Sequence, residues 1–309
     1  MRILLTGASS FTGCHIARVL LDRGHEVTAT LTRSSDAYRA GMEALRLRHA
    51  EGLRLVYETS FGTGNFAQAL KDFEPEVLVN HGADIRGYRD PSFDIDKAVR
   101  SATHALEETL KTFKVRGGRH VIHTGTVFEP VDGLEAQSAY GNAKARTARI
   151  WEERCDHEQL AFTKILIANP VGPFENEDRL IPIFVKKWKA GEKPVLSAPK
   201  MLWDNVPAPW LAERYAEAVE AKGSRELVRP SGFKIPLRDF VDRFVAEARA
   251  RGVALDFSYE IPEQVPDAPA KPRFNDEDCP EMKNFEATRL FFDRWVVSHW
   301  PEARRIGAP

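Results

Sequence analysis

Met1-Arg-Ile-Leu-Leu-Thr-Gly-Ala-Ser-Ser-Phe-Thr-Gly13 opens the chain and decides how the rest is read. Ile3 to Leu5 form the short unbroken apolar run of a fully buried strand, and Cys14 to Arg23 has the apolar period of a helix. Between them Gly7, Ser10 and Gly13 keep the spacing of a Gly-x-x-Gly-x-x-Gly connection. Glycine at 7 permits the tight turn, a small residue at 10 admits a pyrophosphate, and glycine at 13 lets the helix pack on the sheet. The free N–H groups and positive dipole end of that helix then face the anion. Ser10 adds a Cβ and a hydroxyl at the middle position, so the phosphate approach is expected to be shifted or bridged by that hydroxyl.

Downstream, Gly24 to Arg33 reads as a turn and a second strand ending Leu31-Thr-Arg-Ser-Ser35. A carboxylate at that strand end would bond an adenosine ribose 2′-hydroxyl and repel a 2′-phosphate. None is placed there. We therefore expect NADP(H), with Arg33 as a clamp on the phosphate, and leave NAD open.

Helical character over Asp36–His49 precedes a third strand, Leu53–Tyr57, that ends in Glu58. Further along, helices are expected over Phe66–Phe73, Asp94–Lys114 and Ala139–Cys155, and strands over Pro75–Ala83, Arg119–Phe128 and Leu160–Ala168. This alternation predicts an α/β, Rossmann-type, doubly wound parallel sheet with helices on both faces. Ligands in such sheets lie at the carboxyl ends of the strands.

From Asn169 prolines at 170, 173, 182, 194, 199, 207 and 209 break the chain into short pieces. Helices are expected over Ile181–Ala190, Ala208–Ala221, Pro236–Arg251 and Glu281–His299, with a proline-rich acidic loop over Ile261–Asp278. The division expected is a nucleotide-binding domain over 1–168 and a smaller C-terminal α/β substrate domain over 169–309, with segments such as 208–230 returning to the first.

The 44 Lys and Arg balance 45 Asp and Glu among 309 residues, which argues against nucleic acid or an anionic membrane as partner. No apolar run is long enough to span a bilayer, and a strand starting at residue 2 suggests no signal peptide. Cys14, Cys155 and Cys279 lack metal-ligand spacing and read as reduced thiols. Together these lead us to expect a cytoplasmic protein with a small-molecule substrate and no bound metal.

Tyr140-Gly-Asn-Ala-Lys144 carries the chemistry. Residues four apart share a helix face, so phenol and ammonium point the same way. The ammonium should draw the Tyr140 pKa toward neutrality and make it a general acid/base, while also reaching a cofactor ribose. The preceding strand ends His123-Thr-Gly-Thr126, which places the Thr124 and Thr126 hydroxyls where a substrate oxygen would lie.

In these motifs the chain resembles the extended short-chain dehydrogenases/reductases, a family of nucleotide-sugar epimerases, dehydratases and reductases. Thr6–Gly13, Asn80-His-Gly-Ala83, Thr124–Phe128, Tyr140–Lys144, Asn169-Pro-Val-Gly-Pro173 and Lys271-Pro-Arg273 fall in family order. The resemblance implies that Thr124, Tyr140 and Lys144 are catalytic. It implies that Gly7, Ser10, Phe11, Thr12 and Gly13 hold the pyrophosphate, that Asn80, His81 and Gly82 border the cofactor, that Glu58 lies beside the adenine, and that Pro170 lies near the nicotinamide. Asn169 would touch substrate, and the helix bearing Tyr140 would serve a homodimer.

Departures from the pattern narrow the reading. Gly125 and Thr126 stand where sugar-nucleotide dehydratases carry Asp-Glu, so dehydration is not expected. Trp203 precedes Asp204 where the family often has a phosphate-binding Arg, leaving Lys187, Lys200 or Arg273 to supply that charge. The expected activity is an NADPH-dependent reduction of a keto sugar or its nucleotide-linked form. The alternatives are an NAD-dependent nucleotide-sugar 4-epimerase and a non-catalytic dinucleotide-binding regulator.

Overall fold

The computed structural model describes residues 1–83, 87–88, 90, 92–223, 226–260 and 273–303. Lys271, Pro272 and most of the proline-rich 261–278 segment lie outside the described residues.

The chain divides into two compact units, one of residues 1–167 with 211–230 and one of 168–210 with 231–309. In the first, β1 (Arg2–Thr6), α1 (Phe11–Asp22), β2 (Glu26–Thr30), α2 (Gly41–His49), β3 (Arg54–Val56), α3 (Gly64–Phe73) and β4 (Val77–Asn80) follow one another. Then come α4 (Ile95–Ala102), α5 (Leu106–Val115), β5 (His120–Thr126), α6 (Ala139–His157) and β6 (Ala161–Ile167). The second unit contributes β7 (Asn169–Val171), α7 (Leu180–Lys189), β8 (Val195–Leu196) and β9 (Leu202–Pro207). The boundary falls within α8 (Ala208–Glu220), after which β10 (Leu227–Val228) belongs to the first unit. The second boundary falls within β11 (Pro230–Ser231), and the second unit continues with β12 (Phe233–Pro236), α9 (Leu237–Ala250), β13 (Ser258–Tyr259), β14 (Glu277–Asp278) and α10 (Phe285–His299).

In the first unit seven strands pair in the order β10-β6-β5-β4-β1-β2-β3, all parallel. This is the doubly wound α/β sheet, in which the strand order reverses between β1 and β4, and Leu4 of β1 is flanked by Thr28 and Leu78. Leu4, Leu78 and Val121 from neighbouring strands pack with Phe66, Leu110, Phe113 and Trp151 from the helices. Burying such side chains supplies roughly 2–3 kcal/mol each before the entropy of ordering is counted.

Helix starts follow their caps. Ser10 accepts from Gly13 N at 3.0 Å to open α1, Asp94 from Lys97 N at 2.8 Å to open α4, and Ser138 from Gly141 N at 3.1 Å to open α6. Where one helix was expected over Asp94–Lys114, the structure has α4 and α5. Thr103 Oγ1 turns back onto Val99 O at 2.8 Å, and Ala105 adopts φ 49°, so the chain re-enters helix with Leu106, Leu110 and Phe113 facing the core. The expected Asp36–His49 and Glu281–His299 helices are likewise divided. A 3₁₀ turn, Ser35–Tyr38, precedes α2, and another, Pro280–Lys283, precedes α10, where Asn284 caps the longer helix by accepting from Ala287 N.

The second unit is organised by an aromatic cluster in which Phe233, Phe240, Phe291, Phe292 and Trp295 are buried in ring contact. Its three-stranded sheet, β12-β9-β7, is pinned by the buried Asp204, which accepts from Gly232 N (2.7 Å), Asn275 N (3.0 Å) and Ser231 Oγ (3.0 Å). Among the described residues no helix is long and apolar enough to cross a membrane.

Candidate active site

The loop between β1 and α1 is closed to side chains. A Cβ on Gly13 would lie 2.0 Å from Gly7 O, and one on Gly7, which has φ +78°, would lie 2.8 Å from Gly82 Cα and N. A bare backbone at the N-terminus of a twelve-residue helix is the cradle a pyrophosphate needs, so the residues present fit a dinucleotide. Phe11 and Thr12 are buried in the first turn of α1. Ser10 Oγ is already engaged: besides capping α1 it lies 3.2 Å from His81 Nε2.

His81 connects this loop to the tip of β5. Its Nδ1 lies 3.0 Å from Thr124 Oγ1, and Thr124 Oγ1 lies 2.6 Å from the hydroxyl of Tyr215 in α8. Burial, with the Lys144 charge adding to it, pushes the His81 imidazole down to about 3, so it is neutral at ordinary pH. Gly82 N donates to Thr6 Oγ1 at 2.8 Å. Asn80 turns inward: its amide lies 3.1 Å from His123 Nδ1 and its oxygen accepts from Thr6 Oγ1. It ties β1, β4 and β5 together.

Tyr140 and Lys144 sit on the first turns of α6, and Lys144 is buried. The Tyr140 ring meets Tyr88 and Phe93 edge-on at 5.5 and 5.9 Å. The expected drop in the Tyr140 pKa is overturned. Burial drives it upward, and the Glu129 carboxylate and Tyr88 push the same way. The phenol therefore stays protonated, while burial lowers Lys144 to about 8 against the opposing pull of Glu129.

Glu129 went unnoticed in the sequence. It is fully buried, accepts from Thr126 N at 2.8 Å and pairs with Lys164 Nζ of β6 at 2.8 Å. A lone lysine inside the apolar run Ala161–Ile167 was the signal that a buried acid had to meet it. Thr126 Oγ1 accepts from Phe128 N at 3.4 Å within the turn to Glu129, which uses a lone pair and not its hydrogen. Tyr215 carried no signal, since it reads as one more core position of α8.

At the other edge of the sheet Glu58, with φ 52°, donates its N–H to Arg33 O at 3.1 Å, which sets these two expected adenosine-side residues next to each other. The Arg33 guanidinium pairs with Glu43 and lies 4.6 Å over the Tyr38 ring.

The second unit holds its own polar cluster. Asn169 donates to Asn205 Oδ1 at 2.6 Å, and Arg179 donates to Asn169 Oδ1 and Pro170 O at 2.7 and 2.6 Å. Arg273 is half-buried, two residues before the Asn275 N–H held by Asp204, whereas Lys187, Lys200 and Trp203 are exposed.

A parallel sheet with a glycine-lined phosphate loop and a Tyr-x-x-x-Lys helix defines a dinucleotide-dependent α/β enzyme of the short-chain dehydrogenase/reductase type. More particularly, the chain belongs to the NAD dependent epimerase/dehydratase family, whose model matches residues 3–208. It is 26% identical over 261 residues to the NAD(+)-linked dTDP-6-deoxy-L-talose 4-dehydrogenase of Aggregatibacter actinomycetemcomitans, across 80% of this chain and 90% of that one. It is 26% identical over 261 residues to a ketoreductase of Aspergillus niger, across 72% of this chain and 76% of that one. In fold it is similar to UDP-N-acetylglucosamine 4-epimerase from Methanobrevibacter ruminantium, with TM-score 0.72 and 17% identity over 97% of this chain and 98% of that one.

Proposed function

We propose that this enzyme is an NADPH-dependent ketoreductase acting on a nucleotide-linked 4-keto-6-deoxy sugar. The observation that carries the reading is the half-buried Tyr140 phenol one helical turn from the buried Lys144 ammonium on α6, with desolvation and Glu129 keeping the phenol protonated. A group held as the acid suits the reductive direction.

When bound, the reduced dinucleotide supplies a hydride, with its two electrons, to the carbonyl carbon. Tyr140 delivers the proton that the developing alkoxide takes up, so carbonyl becomes alcohol. Lys144, cationic below about pH 8, offsets the phenolate left behind. Thr124 hydrogen-bonds the reacting oxygen and orients it. No carboxylate stands at positions 125 and 126, and the nearby Glu129 is tied to Lys164 and Thr126 N, so none of these three positions offers a base for elimination of water.

The preference for NADPH rests on Arg33, which would exchange Glu43 for the 2′-phosphate. The sugar class is supported by the 26% identical relative, whose name specifies oxidation at C4 of a dTDP-6-deoxy sugar. The reading is tested by incubating the protein with a dTDP-4-keto-6-deoxy sugar and NADPH. Loss of absorbance from the reduced cofactor with formation of the 4-hydroxy sugar is expected; no consumption with either NADPH or NADH would sink it.

A second reading, an NAD-dependent nucleotide-sugar 4-epimerase, takes its support from the 4-epimerase of similar fold. It expects near-stoichiometric NAD⁺ released on denaturing the purified protein, whereas the reductase releases none.

A further inference from the structure

We infer that His81 and Tyr215 are positioning residues for Thr124: both donate to its oxygen and leave its one hydrogen for the reacting carbonyl. The inference rests on the ketoreductase reading and deepens it, since it says how the orienting hydroxyl is itself oriented.

Hydrogen-bond accounting carries the argument. A threonine hydroxyl has one hydrogen and two lone pairs. Tyr215 is fully buried, and a buried phenol O–H needs an acceptor. Thr124 Oγ1, at 2.6 Å, is the acceptor the structure supplies, so Tyr215 donates to it.

His81 is neutral, with one N–H and one bare nitrogen. Ser10 Oγ accepts from Gly13 N and lies 3.2 Å from His81 Nε2. With the Ser10 O–H assigned as donor to Nε2, the imidazole proton falls on Nδ1, facing Thr124 Oγ1 at 3.0 Å. Both lone pairs of Thr124 are then filled. In the opposite tautomer Thr124 would spend its hydrogen on Nδ1 and have nothing to give a substrate. The edge-on packing of the His81 and Tyr215 rings, with centroids 6.0 Å apart, holds the two donors in place. Two donors into one oxygen also strengthen the bond it donates in turn. The chain of bonds runs from the phosphate loop at Ser10 to the tip of β5.

The kinetic test compares wild type, Thr124→Ala, Tyr215→Phe and the double variant in NADPH-dependent reduction of a dTDP-4-keto-6-deoxy sugar. Tyr215→Phe keeps the ring and removes only the hydroxyl. It is expected to lower kcat on the order of tenfold, the rate equivalent of one net hydrogen bond, with the KM for NADPH unchanged. In the Thr124→Ala background it should cost nothing further. An undiminished kcat in Tyr215→Phe, or a double variant that loses the product of both effects, overturns the clamp.

A second measurement is independent of the substrate. The ¹⁵N spectrum of the His81 ring, assigned by its disappearance in His81→Gln, should show a protonated Nδ1 and a bare Nε2. The reverse pattern overturns the proposal. If wild type fails to reduce the sugar while Nδ1 carries the proton, the ketoreductase reading fails and the clamp stands.

Discussion

Lys164 Nζ lies 2.8 Å from Glu129 Oε2, and that carboxylate has no exposed surface. The pair joins the middle of β6 to the turn after β5, beside the helix that carries Tyr140. A buried charge stripped of its counter-charge is expensive, whereas removing both members is close to neutral. Lys164→Met should therefore destabilise the protein by roughly 3 kcal/mol in urea unfolding. Adding Glu129→Leu should recover most of that loss, and a double variant as weak as the single would show that the pair is not the cause.

Tyr140→Phe should lower turnover by about 10²–10⁴-fold, the usual worth of a general acid, while dinucleotide affinity measured by fluorescence titration stays within about twofold. Retained turnover would place the proton donor elsewhere.

The Arg33 side chain makes cofactor choice measurable. If it moves from Glu43 to a 2′-phosphate, Arg33→Ala should weaken NADPH by about tenfold or more and leave NADH nearly unchanged. Glu43→Ala, which frees the guanidinium, should tighten NADPH. Equal losses for both dinucleotides in Arg33→Ala would remove the basis for preferring NADPH.

Lys144 gives a basic limb to the pH profile. Its ammonium titrates at about 8, and the reaction uses the charged form. The logarithm of kcat/KM should be level below pH 8 and fall as pH rises through it. A profile level to pH 10 would mean that Lys144 stays charged or is not needed.

Desolvated imidazoles set the acid side of stability. His81 is pushed down to about 3, and His120 and His299 to about 4, each by burial first. Between those values and the ordinary 6.5 the unfolded chain binds more protons, so stability is complete above about pH 6.5 and is lost as pH falls toward 4. Thermal midpoints measured from pH 7 to pH 4 should decline, and His120→Gln should make the decline shallower. A variant with an unchanged slope would exclude His120 as a contributor.

Much of the site was legible from local pattern because local geometry enforces it. The spacing of Gly7, Ser10 and Gly13 reflects a turn whose backbone comes so close to itself that a Cβ at Gly13 would meet Gly7 O. The i, i+4 placement of Tyr140 and Lys144 needs only a helix. The alternation of apolar strands with amphipathic helices up to Ile167 likewise suffices for a parallel sheet.

The errors came where distant chain segments decide. The Tyr140 pKa was expected to follow its neighbour on the helix. It follows instead its burial and Glu129, eleven residues back beyond the turn from β5. The break between α4 and α5 was invisible because Thr103 and Ala105 are acceptable within a helix, and only the demand to bury Leu106, Leu110 and Phe113 turns the chain there.

By itself, then, the sequence determined the sheet, the glycine turn after β1 and the helix that carries Tyr140 and Lys144, because each is written in contacts a few residues apart. The tertiary structure alone decided what surrounds them: Tyr215 against Thr124 across 91 positions, His81 between Ser10 and Thr124, and Lys164 against Glu129. Burial and charge at a site are sums over everything folded around it, and they exist only once the chain has closed.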